Sequence, residues 1–214
     1  MLCQIERTIL KVLIIEMEMK KLHLGTICFS HDTSEEVLNH LEIVFDQQKQ
    51  LGKGDAARRA KGRRDISTRT KEIVQALALC HNVTPVVEEG VLTYQASSPD
   101  EVSIVKWTET VGLTLYHRDL TRMQLKTMKG DILNFDVLHV FPFTSELKRM
   151  GIIVRDTVTN EITFYQKGAD SIMSKIVQYN DWYVKMYGMN LFDGELYLGW
   201  KRNVGIWPER DCEL

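Results

Sequence analysis

The chain has 214 residues, of which 44% are hydrophobic and 26% charged, the composition of an ordinary globular domain. Its formal net charge of −2 creates no positive field, so nucleic acid is not expected as a partner. The four cysteines form no CxxC pair and the six histidines no i, i+4 pair, which predicts unpaired thiols in a reducing compartment and no protein-bound metal.

The N-terminal part of the chain predicts one helix. Its most apolar stretch, residues 9–15, falls far short of the roughly 20 residues of a membrane span, so we expect a soluble chain. The helix begins at Thr33, which forms a capping box with Glu36. Its apolar face consists of Val37, Leu38, Leu41, Val44 and Phe45.

A polar and strongly basic segment follows at residues 46–66. It contains three glycines and seven cations. This composition predicts a flexible, solvated loop. The alternative is a site for an acidic partner or a lipid headgroup.

Two further helices are predicted beyond this loop. One runs from about Thr68 to His81, and a short strand at Val91–Ala96 separates it from the other. The inward residues of the earlier helix are Ile73, Val74, Leu77 and Ala78. The later helix has Ser98 as N-cap and Pro99 at its first position, and Glu101 completes a capping box with Ser98.

After Gly112 the apolar residues alternate with period two, which is typical of strands. Strands are predicted around Leu113–Leu115, Met123–Leu125, Ile132–Val140, Gly151–Arg155 and Ile162–Gln166. A last helix is predicted from Asp170 to about Tyr179. Helices followed by a meander of strands predict an α+β fold, an antiparallel sheet flanked by helices, rather than alternating βαβ units.

The residues between Val140 and Asp170 are the best candidates for a site. An aromatic approach that includes Phe143 leads into a turn with Lys148 and Arg149, and Lys167 later precedes Gly168. Phosphate loops of the GxxxxGK[ST] and GxGxxG types are absent, as are HExxH and GxSxG. A nucleotide would therefore be held by side chains, with lysines on the phosphates and an aromatic ring on the base.

Each of these residues also has an ordinary structural interpretation. Glu101 already has a role in the capping box with Ser98. Phe143 has the pattern of a core aromatic residue. Lys148 and Arg149 have the pattern of a solvated turn.

Several sequence blocks resemble one family. SSPDEVSIV (residues 97–105), FPFTSELKRMGIIV (141–154) and YQKGAD (165–170) resemble the nucleotide-binding domain of the type IV P-type ATPases, the phospholipid flippases. KLHLGT, ALCHNVTP and IVQYNDW add a resemblance to the Golgi and endosomal branch. The resemblance covers residues 20–182. Residues 1–19 and 183–214 do not match the family.

The resemblance implies an ATP site made of Glu101, Phe143, Ser145, Lys148, Lys167 and Gly168. Phe143 would stack on the adenine, and Glu101 would contact the base or its exocyclic amine. Ser145 and Lys148 would line the pocket near the adenine and phosphates. Lys167 would lie deepest, and Gly168 would let the backbone approach closely. The ATP would carry Mg²⁺, with no metal ligand from this chain.

The family's phosphorylated DKTGT motif, its actuator loop and its membrane helices are not found in the sequence. We therefore expect the chain to hold ATP without completing phosphoryl transfer, and we assign it no catalytic residue. The remaining flippase domains would be its partners, and phospholipid would be met only through the membrane domain, at the cytosolic face of Golgi or endosomal membranes. The alternative function is a non-catalytic interaction module with a vestigial nucleotide pocket.

Overall fold

The computed structural model describes residues 19, 21–24, 27–50, 65–169, 171–173, 184–187 and 196–202. The helices are α1 (Ser34–Gln50), α2 (Ile66–Leu79) and α3 (Pro99–Thr110). A short 3-10 turn, His31–Thr33, precedes α1, and residues 171–173 are also helical. None of the helices in these ranges is both long enough and apolar enough to cross a bilayer.

The strands form one large sheet and one separate hairpin. They are β1 (Lys21–Leu24), β2 (Ile27–Ser30), β3 (Thr84–Glu88), β4 (Val91–Gln95), β5 (Leu113–Arg118), β6 (Arg122–Thr127), β7 (Ile132–Phe141), β8 (Arg149–Asp156), β9 (Ile162–Ala169), β10 (Val184–Tyr187) and β11 (Leu196–Arg202). The large sheet has the order β2-β1-β10-β11-β9-β8-β7-β6-β5, and β3 pairs with β4. Every pairing is antiparallel, which confirms the predicted α+β fold.

The core lies between the helices and one face of this sheet. The fully buried strand residues of this core include Leu113, Leu115, Met123 and Leu125. The predicted inward residues of α2 are all buried, as are Val37, Leu41, Val44 and Phe45 of α1. Leu38 is half-buried. Each large apolar side chain removed from water stabilises the fold by about 1.5–3 kcal/mol, so this interface holds the helices on the sheet.

Two helix boundaries next to the basic loop differ from the prediction. Helix α1 continues through residues 46–50, so the predicted loop at 46–66 begins later than expected. Helix α2 begins earlier than predicted because the Asp65 side chain accepts a hydrogen bond from the Thr68 N–H (3.2 Å) and caps it. Residues 51–64 and most of the helix predicted from Asp170 lie outside the described residues.

In β7 a β-bulge interrupts the alternation of side chains that the sequence pattern predicts. The pairing of β7 with β8 shifts register between Val137 and His139. An inserted residue reverses the alternation of side chains between the two faces of a sheet. Val137 and Val140 therefore both pack against the core, whereas Leu138 between them is exposed.

Candidate functional site

The centre of the candidate site is a buried ion pair between α3 and β9. The Lys167 ammonium lies 2.8 Å from the Glu101 carboxylate, and the two side chains are only 7% and 12% exposed. Glu101 lies in the first turn of α3, and Lys167 belongs to the core-facing side of β9 together with the buried Thr163 and Tyr165. The antiparallel alternation of β9 thus directs the lysine toward the helices rather than toward solvent.

The second oxygen of Glu101 is also occupied. The backbone N–H of Asn82, just beyond the end of α2, donates to it at 3.0 Å. Ser98 makes no side-chain capping hydrogen bond. The capping-box interpretation of Glu101 is therefore wrong, because the carboxylate is used by Asn82 and Lys167 instead.

The segment after α2 is buried and polar. His81 is completely buried and bonds through Nε2 to the Ala78 carbonyl (2.8 Å), while its Nδ1 accepts from the Val83 N–H (3.0 Å). These partners require the neutral ring with its proton on Nε2. Burial lowers the pKa of His81 well below its usual value, and the charges of Arg118 and Lys167 lower it further. Protonation would put a third positive charge into this region.

Cys80 is the neighbouring buried group. Its thiol donates to the Tyr165 carbonyl across a distance of 3.7 Å, which links the end of α2 to β9. Burial raises the pKa of Cys80 to about 12, although the Lys167 charge opposes this shift. The thiol is therefore neutral and unreactive in the folded chain.

Sequence reasoning did not identify Arg118, which lies at the end of β5 and contacts the same segment. Its guanidinium donates to the carbonyl of His81, to His81 Nδ1 (2.9 Å) and to the Val83 carbonyl (3.3 Å), and it lies 3.5 Å from the side-chain oxygen of Asn82. The ALCHNVTP block marked residues 78–85, but nothing in the sequence pairs it with an arginine from a distant strand.

The loop between β7 and β8 carries the other predicted residues. Phe143 is 58% exposed, so its interpretation as a core aromatic residue is wrong. The turn is closed by a hydrogen bond from the Lys148 N–H to the Thr144 carbonyl (2.8 Å). Lys148 has a positive φ of 50°. Ser145 and Lys148 are both exposed.

Gly168 connects this loop to β9. The Ala169 N–H donates to the Lys148 carbonyl at 3.0 Å. A Cβ atom on Gly168 would lie 2.7 Å from that carbonyl and 2.7 Å from the Cβ of Arg149. Only glycine allows the two backbones to come this close. In this structure Gly168 therefore allows β9 to approach residues 148 and 149, at the start of the neighbouring strand β8.

The structure thus brings together some of the predicted residues by direct contact. Glu101 and Lys167 form an ion pair, and Lys148 adjoins Gly168 through its backbone. Within the described ranges, no hydrogen bond, ion pair or ring contact joins the side chain of Phe143, Ser145 or Lys148 to that pair. Nor does this part of the chain contain a group of three or more His, Cys, Asp or Glu residues that could hold a metal ion.

Comparisons with known proteins identify the family. The chain is 53% identical over 195 residues to the probable phospholipid-transporting ATPase IIB of Bos taurus, across 78% of this chain and 17% of that protein. It is 52% identical over 171 residues to the probable phospholipid-transporting ATPase tat-5 of Caenorhabditis elegans, across 78% of this chain and 15% of that protein. It is 45% identical over 168 residues to the phospholipid-transporting ATPase NEO1 of Saccharomyces cerevisiae, across 78% of this chain and 15% of that protein. No family model matches the chain.

The antiparallel α+β fold is consistent with a nucleotide-binding domain of the P-type ATPases. The chain belongs to the type IV phospholipid-transporting ATPases, and it spans 15–17% of the length of these three relatives.

Proposed function

We propose that this chain binds ATP as the nucleotide-binding domain of a phospholipid-transporting ATPase. The observation that carries the proposal is the buried Lys167–Glu101 pair. Lys167 pairs in the sheet with Met150, near the start of β8, and the exposed loop with Phe143 immediately precedes β8. A lysine is seldom buried unless its charge is paired, because desolvation of the ammonium is costly.

The charges and surfaces of these residues fit a nucleotide. Lys167 and Arg118 carry two positive charges against the single negative charge of Glu101, and His81 is neutral. Lys148 adds an exposed cation on the loop. A surplus of positive charge attracts phosphate. The exposed ring of Phe143 offers a stacking surface to a base, and Ser145 lies two residues beyond it with an exposed hydroxyl.

In this proposal each residue has one role. Phe143 stacks on the adenine, Glu101 accepts a hydrogen bond from the base, and Lys148 and Ser145 contact the nucleotide from the loop. Lys167 lies deepest beside it, and Gly168 keeps the loop close to β9. The ATP brings Mg²⁺, which neutralises phosphate charge.

The activity of the whole protein is part of the same proposal. The relatives are named as phospholipid-transporting ATPases. A domain of this kind would present ATP to an aspartate on another domain, and the released energy would move phospholipid through a membrane domain. We propose Golgi or endosomal membranes as its location, on the resemblance of residues 20–182 to that branch.

The test is an ATP titration of the purified 214-residue chain, followed by calorimetry and NMR. We expect weak, saturable binding that Lys167→Ala abolishes. Because that variant leaves the Glu101 carboxylate buried without its partner, Lys148→Ala is measured as a second variant that keeps the core intact. Lys106→Ala, on the exposed side of the same helix as Glu101, is the matched control. A folded chain that binds no ATP would overturn the proposal and favour the interaction module.

A further inference from the structure

The segment His81–Val83, just after α2, is held from two sides. From one side, the Glu101 carboxylate of α3 accepts the Asn82 N–H at 3.0 Å. From the other side, the Arg118 guanidinium of β5 donates to the carbonyls of His81 and Val83. The peptide between His81 and Asn82 therefore connects the arginine to the glutamate. Its carbonyl oxygen accepts from Arg118, and its N–H donates to Glu101.

These contacts fix the direction of one N–H group. The peptide that ends at the Asn82 nitrogen begins at the His81 carbonyl, and Arg118 bonds to the oxygen of that carbonyl. Because a peptide unit is planar, holding its oxygen also fixes the direction of its N–H. That N–H points at Glu101 Oε2. Nη1 of Arg118 makes the contacts to His81 and Val83, while Nη2 lies 3.5 Å from the side-chain oxygen of Asn82. The arginine therefore meets this segment with two nitrogens of a rigid fork, which the single nitrogen of a lysine cannot reproduce.

We propose that Arg118 is a positioning residue of the nucleotide site, and that it acts through the His81–Asn82 peptide to hold Glu101 against Lys167. This inference rests on the proposed ATP site. Arg118 does not itself contact the nucleotide in this arrangement. Its role is to keep the carboxylate in the one rotamer in which Oε2 meets the Asn82 N–H and Oε1 meets the Lys167 ammonium.

Neutral His81 supports this arrangement. Its Nδ1 accepts hydrogen bonds from both the Val83 N–H and the Arg118 guanidinium. The charged groups around this segment are Arg118 from β5, Glu101 from α3 and Lys167 from β9. With the ring neutral, Arg118 can approach it without repulsion.

The test is a double-mutant cycle in the full chain with Arg118→Lys and Glu101→Gln, read as ATP affinity by calorimetry well below the melting temperature. We expect Arg118→Lys to weaken ATP binding about tenfold in the wild-type background, since a hydrogen bond that orients a charged group is lost. In the Glu101→Gln background the same change should alter affinity less than about twofold. Arg155→Lys is the matched control, because Arg155 also lies in a strand and pairs with a carboxylate, that of Asp136. It should leave affinity unchanged.

An equal effect of Arg118→Lys in both backgrounds would mean a general structural role and would overturn the inference. The ¹³Cδ resonance of Glu101 separates the inference from the proposed function, since it reports the carboxylate's surroundings without ATP. We expect Arg118→Lys to shift this resonance and Arg155→Lys to leave it in place. If the wild-type chain bound no ATP, the proposed function would fail. If the Glu101 resonance also stayed in place in Arg118→Lys, the positioning of the carboxylate by Arg118 would be overturned as well.

Discussion

The Lys167 ammonium and the Glu101 carboxylate lie 2.8 Å apart in the interior of the chain, although one belongs to a late strand and the other to an earlier helix. Both charges are almost completely removed from water. The pair therefore joins α3 to β9 at the cost of desolvating two ions, which is seldom the most stable solution for a core.

Removal of one partner should be strongly destabilising. Glu101→Ala leaves the Lys167 charge buried without a counterion and the Asn82 N–H without its acceptor, so we expect the free energy of unfolding to fall by about 3–5 kcal/mol. Urea denaturation measures this change. The control is Asp136→Ala, which breaks the more exposed Asp136–Arg155 pair and should cost about 1 kcal/mol or less. Equal losses in the two variants would contradict the importance of burial.

Phe143 should contribute to ATP binding and not to stability. Because the ring is 58% exposed, Phe143→Ala should change the free energy of unfolding by no more than about 0.5 kcal/mol. Loss of a stacking surface should weaken ATP binding by about 1–3 kcal/mol, as in other base–aromatic contacts. Leu147→Ala changes an exposed apolar residue of the same loop and serves as the control. Equal ATP affinity in both variants would remove Phe143 from the site.

Gly168 should not accept a side chain. In Gly168→Ala the added Cβ would lie 2.7 Å from the Lys148 carbonyl, and backbone cannot move aside easily. We expect a loss of about 1–3 kcal/mol in the free energy of unfolding and a change in the NMR signals of residues 142–148. Gly151→Ala is the comparison, because its Cβ would meet mainly the ring of Phe164. Its NMR changes should centre on that ring, and a matching disturbance of the loop would count against the role assigned to Gly168.

His81 should make the fold sensitive to acid. Its pKa in the folded chain lies well below the usual value of 6.5 that applies to the unfolded chain. Below pH 6.5 the unfolded chain therefore binds a proton that the folded chain does not, and stability falls with falling pH. The slope from this group reaches at most about 1.4 kcal/mol per pH unit. Denaturation curves between about pH 7.5 and about pH 5 should show this slope in the wild type and a smaller slope in His81→Gln. Identical slopes would contradict the assignment of the acid sensitivity to His81.

Cys80 should react only when the chain opens. Its pKa of about 12 leaves far less thiolate than an exposed cysteine has at neutral pH. Two variants, one with Cys80 and one with Cys28 as the only cysteine, can be compared with a disulfide reagent at mildly alkaline pH. We expect the exposed Cys28 to react at once and Cys80 only at the rate of local unfolding. Rapid reaction at Cys80 in the folded chain would contradict its burial.

The local patterns predicted much of the secondary structure. Period-two alternation identified Leu113, Leu115, Met123 and Leu125 as strand residues, and all four are buried. The strand β3 was missed because its sequence, TPVVE, begins with a turn-like Thr-Pro and has no alternation. The pattern also gave no sign of the bulge after Val137, since register depends on the partner strand.

The amino-acid sequence by itself determined the class of fold, the family and a set of candidate residues, because periodicity and motifs are written in neighbouring positions. Only the tertiary structure decided how Glu101 is used. A capping box with Ser98 and an ion pair with Lys167 are equally compatible with the local sequence, and the choice depends on where β9 lies. The role of Arg118 was likewise decided only by the tertiary structure, because its hydrogen bonds to residues 81–83 exist only once β5 packs beside the end of α2.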